Sequence, residues 1–233
     1  MEEVREDMLL EIEFLLLSFA TGFQDAATWP DYGVFASNQT GNTVFLAIGA
    51  AGLAHDAYSF SIIGASLGSF IGGGLFMGQL GNYFGPRKRL WLLFSSILQT
   101  GMVYAAAGIQ YAFPLRREGA VAAGVMTLLA FSSGAQVAMS RSLRLTEITT
   151  AMATSVYVDV VVDPGLMNIH NRRRNRRILF LGMLTAGCFA GAFTDKHINS
   201  SFTIILSAIV KSIVTVIFLF NKRIVNDDME NKN

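Results

Sequence analysis

Charge is what this sequence has least of. Only 15% of its residues are Asp, Glu, Lys or Arg, where a soluble domain carries roughly 25%. That leaves too little polar surface to meet water, so a lipid-facing surface is expected. The net charge of +1 gives no bulk attraction for nucleic acid. A single cysteine, Cys188, excludes an intrachain disulfide, and its apolar surroundings suit a packed thiol rather than a reactive one. Histidine is equally scarce: His55, His170 and His197 are scattered without metal-ligand spacing. No glycine-rich phosphate loop precedes a Lys-Ser/Thr pair, and no Ser-His-Asp or Cys-His set can be assembled. We therefore expect no enzyme, no cofactor, no metal site and no ATP-driven pump in this chain.

What is present is apolar: 52% hydrophobic residues, with 18 Phe and 22 Gly. The start, Met1-Glu2-Glu3-Val4-Arg5-Glu6-Asp7, is acidic, unlike a signal peptide, so the first apolar run is expected to be a retained span. Apolar segments run about 8–27, 39–53, 60–80, 90–109, 120–138, 149–162, 178–193 and 202–220. A full span needs about 20 residues, and runs of 10–14 are more often re-entrant or interfacial. The second and sixth are short, and both begin with small polar residues.

Loop charges bear on whether those two cross. If they do not, one side collects Arg5, the Arg87-Lys88-Arg89 triplet, Arg141, Arg144, the Arg172–Arg177 run, Lys222, Arg223 and Lys232. The other side keeps Arg116, Arg117 and Lys196. The positive-inside rule then favours about six transmembrane helices, two short re-entrant half-helices and both termini in the cytoplasm. The expected fold is an all-α polytopic membrane protein, a single membrane domain over residues 1–233. The halves, about 8–110 and 119–220, resemble one another. Gly22-Phe23-Gln24-Asp25-Ala26 matches Gly134-Ala135-Gln136-Val137-Ala138, and Thr40-Gly41 matches Thr154-Ser155. Three spans per half would make this a 3+3 inverted repeat, as in many secondary transporters.

Several residues are candidates for a solute site. Gln24 and Asp25 fall near the outer end of the first span, where a carboxylate needs protein or a water-filled cavity. Pro30 is expected to end that helix. Asn38, Gln39, Thr40, Gly41 and Asn42 open a short helix whose unpaired N–H groups could hold an anion or a polar group. They could equally form a self-satisfied cap. Thr149, Thr150, Thr154, Ser155 and Asp159 are the counterpart in the second half. Asp159 and Asp163 share a helix face, although Asp163 beside Pro164 can simply end the helix. Lys211, in the middle of the last span, should pair with an acid or an amide or be neutral. Asp25 and Asp159 are its candidate partners. The ladder Gly64, Gly68, Gly72, Gly73 and Gly74 reads as close helix packing, and homo-oligomerisation stays open. The basic Asn168–Arg177 stretch reads as a loop that sets topology beside anionic lipid.

The runs Gly22-Phe-Gln-Asp-Ala-Ala27 and Tyr32-Gly-Val-Phe-Ala-Ser-Asn-Gln-Thr-Gly-Asn-Thr-Val-Phe-Leu46 resemble the signature of the YoaK-like membrane proteins, a domain of unknown function. Glu147-Ile-Thr-Thr-Ala-Met-Ala-Thr-Ser-Val-Tyr-Val-Asp159 resembles that family's second motif. The chain departs from the pattern at Ala153-Thr154-Ser155, where many members have a Met-Thr-Gly-type sequence, and at Val137, where Asn or Asp is common. The resemblance implies an integral membrane protein of about six spans and no established substrate. The reading that follows is a secondary transporter or permease for a small polar or anionic solute in a lipid bilayer. The alternatives are a channel-like pore and a non-transporting scaffold or assembly partner.

Overall fold

A computed structural model describes residues 3–53 and 59–222, and all regular structure in these is helical apart from one isolated bridge, Glu3 with Lys88. His55, Arg223 and Lys232 lie outside the described residues. The helices are α1 (Met8–Tyr32), α2 (Gln39–Ala50), α3 (Phe60–Phe84), α4 (Arg89–Ala112), α5 (Ala120–Ser142), α6 (Thr154–Val161), α7 (Arg172–His197) and α8 (Ser200–Ile217). A 3-10 turn over Phe218–Phe220 extends α8.

Local chemistry sets many of the ends. Asp7, Asn38, Asn171 and Asn199 cap α1, α2, α7 and α8, each accepting from the N–H three residues on, so each satisfies a donor that the first turn leaves unpaired. Pro30 does not end α1. The helix runs to Tyr32 and stops where Gly33 turns left-handed at φ 65°, a conformation glycine adopts without Cβ strain. The second short segment is also shorter than its apolar run: residues 149–153 are not helical, and α6 covers only eight residues. Conversely, the Arg172–Arg177 run is not loop but the first turns of α7.

Among the described residues five helices are long and apolar enough to cross a bilayer: α3, α4, α5, α7 and α8 with its extension to Phe220. Their outward faces carry exposed Ile71, Leu75, Phe76, Phe94, Ile97, Phe189, Phe193 and Val216, far more contiguous apolar surface than water tolerates. α1 is as long as these but is interrupted by Glu11, Glu13, Gln24 and Asp25. It packs along α7 and α8, so protein rather than lipid surrounds much of it.

Two kinds of contact build the bundle. α1 lies along α7, and α5 along α3, backbone against backbone. A Cβ on Gly22 would collide with the Leu184 carbonyl and the Cys188 N–H; one on Gly134 would strike the Phe70 carbonyl. Gly187 and Gly73 face the carbonyls of Phe19 and Phe131 in the same way. Small residues permit this close approach, which drives helix association where lipid removes the hydrophobic force. Only part of the expected ladder takes part, because Gly64, Gly68 and Gly72 have open space where a side chain would be. The second contact joins α1 to α8, α5 to α4, and α4 to α8, enclosing an interior between α1, α4, α5 and α8.

The ends of the bundle differ. At one end the N-terminal stretch is tied in by Val4 N–H to Arg87 O (2.8 Å) and Arg5 N–H to Lys222 O (3.0 Å). There Arg176 meets Glu11 (2.7 Å), Glu6 (2.8 Å) and Glu147 (3.7 Å), and Arg172 also pairs with Glu11. At the other end Gln110 of α4 donates to Asp31 of α1 and to Ser200 of α8 (2.8 Å). α1 therefore runs from the arginine end to the Gln110 end. α4 and α7 run the same way, while α5 and α8 return.

Candidate functional site

The interior between α1, α4, α5 and α8 is apolar at two levels and polar between them. Toward the arginine end lie Phe14, Leu17, Leu92, Met139, Val214 and Phe218. Toward the Gln110 end lie Ala27, Val103, Leu129, Ile204 and Ala208. Every helix changes character between these layers. α1 presents Thr21 and Gln24, α4 Gln99 and Thr100, α5 Ser132, Ser133 and Gln136, and α8 Ser207 and Lys211, all buried. On α1, α5 and α8 the i, i+3 and i, i+4 spacings put these residues on one helix face.

Most of these side chains fall into two adjacent hydrogen-bonded groups, one around Gln24 and one around Gln136 and Lys211. Gln24 donates to Ser207 Oγ (2.9 Å) and accepts from Ser133 Oγ (3.4 Å). Gln136 donates to Thr21 Oγ1 (2.9 Å) and accepts from Lys211 Nζ (2.6 Å). Lys211 also donates to Ser132 Oγ (3.2 Å), which in turn donates to the Gln99 carbonyl (3.2 Å). Lys211 is 1% exposed. At 1.5 Å per residue it stands roughly 13–17 Å from either end of its helix, so it cannot reach water by extending its chain. Neither Asp25 nor Asp159 is its partner, contrary to the expectation from sequence; its partner is the Gln136 amide. The reason is rotational. α8 turns Lys211 toward α5, while Asp25 sits on a different face of α1.

Asp25 instead braces the chain after α1, accepting from Ser37 N–H (2.8 Å) and Ser37 Oγ (2.5 Å). Asn42, fully buried, pairs with both backbone groups of Phe35 (3.0 and 2.8 Å) and reaches Gln39 Oε1 (2.9 Å) and Ser66 of α3 (3.2 Å). Gln39 donates to the Ala36 carbonyl (3.1 Å) and Ser66 Oγ (3.2 Å). Trp29 stacks on Phe35 and Phe45, each at 4.9 Å between ring centroids. The Asn38–Asn42 motif is thus largely spent on its own loop. Gly41 contacts the Phe35 ring, and Asn38 and Thr40 point outward.

The second-half motif is built differently. Thr149 closes a turn with Met152, donating to its carbonyl (2.7 Å) and accepting from its N–H (3.2 Å). Thr150 is fully buried at φ 62°, and its hydroxyl has no hydrogen-bond partner. Thr154 and Ser155 are exposed. Asp159 (3.9 Å) and Asp163 (3.4 Å) both face Arg177. Asp163 also accepts from Gly165 N–H and Asn171 Nδ2, both at 2.8 Å, which makes it the stop of the helix. Arg172, Arg173, Arg176 and Arg177 are drawn to Glu6, Glu11, Glu147, Asp159 and Asp163, while Arg174 donates to the Leu166 carbonyl and to Asn175 Oδ1.

Of the residues singled out from sequence, only Gln24 and Lys211 belong to the polar centre. The Asn38–Asn42 group lies against α3, and α6 lies against α7. Among the described residues no hydrogen bond joins the two segments. The polar centre's other members, Thr21, Gln99, Thr100, Ser132, Ser133, Gln136 and Ser207, were not singled out as site residues. The signal that points to them is the glutamine shared by Gly22-Phe23-Gln24 and Gly134-Ala135-Gln136, each with a hydroxyl residue three positions before it. Among the described residues no three His, Cys, Asp or Glu side chains are gathered to hold a metal ion.

A family profile described as "Protein of unknown function (DUF1275)" matches residues 14–217. No curated protein and no solved structure matches the chain.

Proposed function

The chain belongs to the DUF1275 family of proteins of unknown function, and from that premise we propose that it is a secondary transporter or permease for a small polar or anionic solute. One observation carries the reading. Among the described residues a lysine buried mid-helix is held by neutral groups alone, inside a polar layer that both halves of the chain contribute to. An ionisable side chain at that depth is costly and is kept for a pathway or a ligand. Transporters with inverted repeats place their sites at the midplane between the halves. In support, α1 rests on α7 as α5 rests on α3, and α1 meets α8 as α5 meets α4. Six crossings follow if α2 and α6 each stay at the end where they begin. Both termini then share the arginine end, the cytoplasmic side by the positive-inside rule. The apolar layers above and below the polar centre act as the two gates of alternating access.

In this reading Gln24, Gln136 and Lys211 meet the solute. Asp25 and Asn38–Asn42 stiffen the joint after α1, and Thr150, Thr154, Ser155 and Asp159 belong to the opposite joint. The internally satisfied 35–42 loop favours a second reading, a membrane scaffold in which polar motifs are purely structural. Uptake of labelled small polar and anionic metabolites into liposomes holding the purified protein separates the two. Saturable accumulation that Lys211→Met abolishes supports transport. Uptake indifferent to Lys211→Met in a folded protein, or no uptake of any solute, refutes it.

A further inference from the structure

Lysine has three N–H donors when charged and two when neutral. The centre offers Lys211 two acceptors, Gln136 Oε1 at 2.6 Å and Ser132 Oγ at 3.2 Å. The other polar groups around it already make bonds of their own. From α1, Thr21 accepts from Gln136 and donates to the Leu17 carbonyl, and Gln24 is held by Ser207 and Ser133. From α4, Gln99 donates to Ser95 Oγ, while Ser96 pairs with Thr215 of α8 at 2.6 Å. The carboxyls of α1 face other groups: Glu11 faces Arg176 (2.7 Å), Glu13 Asn221 (2.9 Å, through Oε2), Asp25 Ser37 and Asp31 Gln110. On α5 the charged Arg141 lies at the exposed end beside Met152. On α7, Cys188 lies against Gly22 of α1 and Asp195 stands near the far end of the helix. Among the described residues no carboxylate lies within ion-pair distance of Lys211.

The two N–H donors of a neutral Lys211 are therefore both satisfied. A protonated one has a third N–H without an acceptor and a positive charge without a partner, both in a site closed to water. One singly charged anion supplies both. Resting on the transport reading above, we infer that Lys211 takes up a proton and a small monovalent anion together, so that the protein moves the two as an electroneutral pair. The amine plus a proton plus the anion gives an ammonium–anion pair on one side of the membrane. The reverse step on the other side returns the amine and releases both. The single positive charge sets the valence, and the close packing around Lys211 sets the size.

The test uses the full-length protein in liposomes loaded with a pH-sensitive dye, with inward gradients of sodium chloride, nitrate or methanesulfonate. The conjugate acids of these probes do not cross lipid unaided. The expected result is luminal acidification without any ionophore for at least one probe, slowed roughly tenfold or more by Lys211→Met. Lys211→Arg, which stays charged, is expected to exchange the probe across the membrane yet not acidify the lumen. It also keeps the test decisive if the methionine variant does not fold. Acidification that appears only with an added protonophore means the anion moves alone; this overturns the coupling and leaves the transport reading intact. Acidification by Lys211→Arg at the wild-type rate overturns the role of the lysine proton. If none of the three probes moves under either condition, the monovalent-anion class is overturned. Uptake of a neutral solute would then still sustain the transport reading.

Discussion

Replacing Gln136 by leucine tests whether the polar centre is one energetic unit. The leucine fills similar volume, so the change is chiefly in hydrogen bonding. Gln136 accepts from Lys211 Nζ and donates to Thr21 Oγ1. A neutral interhelical hydrogen bond within a membrane is worth about 0.6 kcal/mol. Loss of the Gln136 acceptor leaves Lys211 with Ser132 alone, and a buried donor stranded in this way costs about 1–3 kcal/mol. The single substitution should therefore destabilise by about 2 kcal/mol, most of it from the stranded lysine. Lys211→Met alone should cost about 1 kcal/mol, because it strands only a neutral amide oxygen. Combining the two removes both partners, and the double variant should return to within about 1 kcal/mol of wild type. Reversible unfolding in bicelles or nanodiscs, followed through the four corners of the cycle, gives the coupling directly. A coupling below about 0.5 kcal/mol, so that the single effects simply add, would refute the view that Lys211 depends on Gln136.

Three further outcomes follow from the geometry. Gly134→Val should push α5 off α3, because the added atoms meet the Phe70 carbonyl; a cost of about 1–3 kcal/mol is expected, read as a lower denaturation midpoint, whereas Gly68→Val should be near neutral. Thr150→Gly should raise stability by about 1 kcal/mol, since it relieves a left-handed β-branched residue and removes a buried unpaired hydroxyl; a lower midpoint would show that the hydroxyl has a partner. Asn42→Ala should loosen the loop after α1, visible as faster hydrogen exchange confined to residues 35–42, and uniform exchange would argue against its bracing role.

Much of this was legible in the chain. Hydropathy runs predicted the long helices to within a few residues, because lipid demands apolar side chains wherever a helix faces it. The cap at Asn38 was also foreseeable, since a cap depends on neighbours three residues away. The shared Gly-x-Gln element marked Gln24 and Gln136 of the centre, although only Gln24 was singled out for it. The misreadings have physical causes. Basic residues look like loop, yet Arg172–Arg177 is helical because Glu6, Glu11, Glu147 and Asp163 neutralise it. The 149–153 segment is apolar enough for a helix, but Thr150 turns left-handed there.

Composition and pattern by themselves determined that this is a membrane protein of long helices with polar motifs at two short ones. Those properties depend on residues near one another in sequence. Which polar residues meet was decided by the tertiary structure alone. The rotation of each helix is set where Gly22, Gly73, Gly134 and Gly187 let backbones touch across some 60 to 170 residues of chain. That rotation turns Lys211 to Gln136 and away from the acids, and nothing local to Lys211 encodes it.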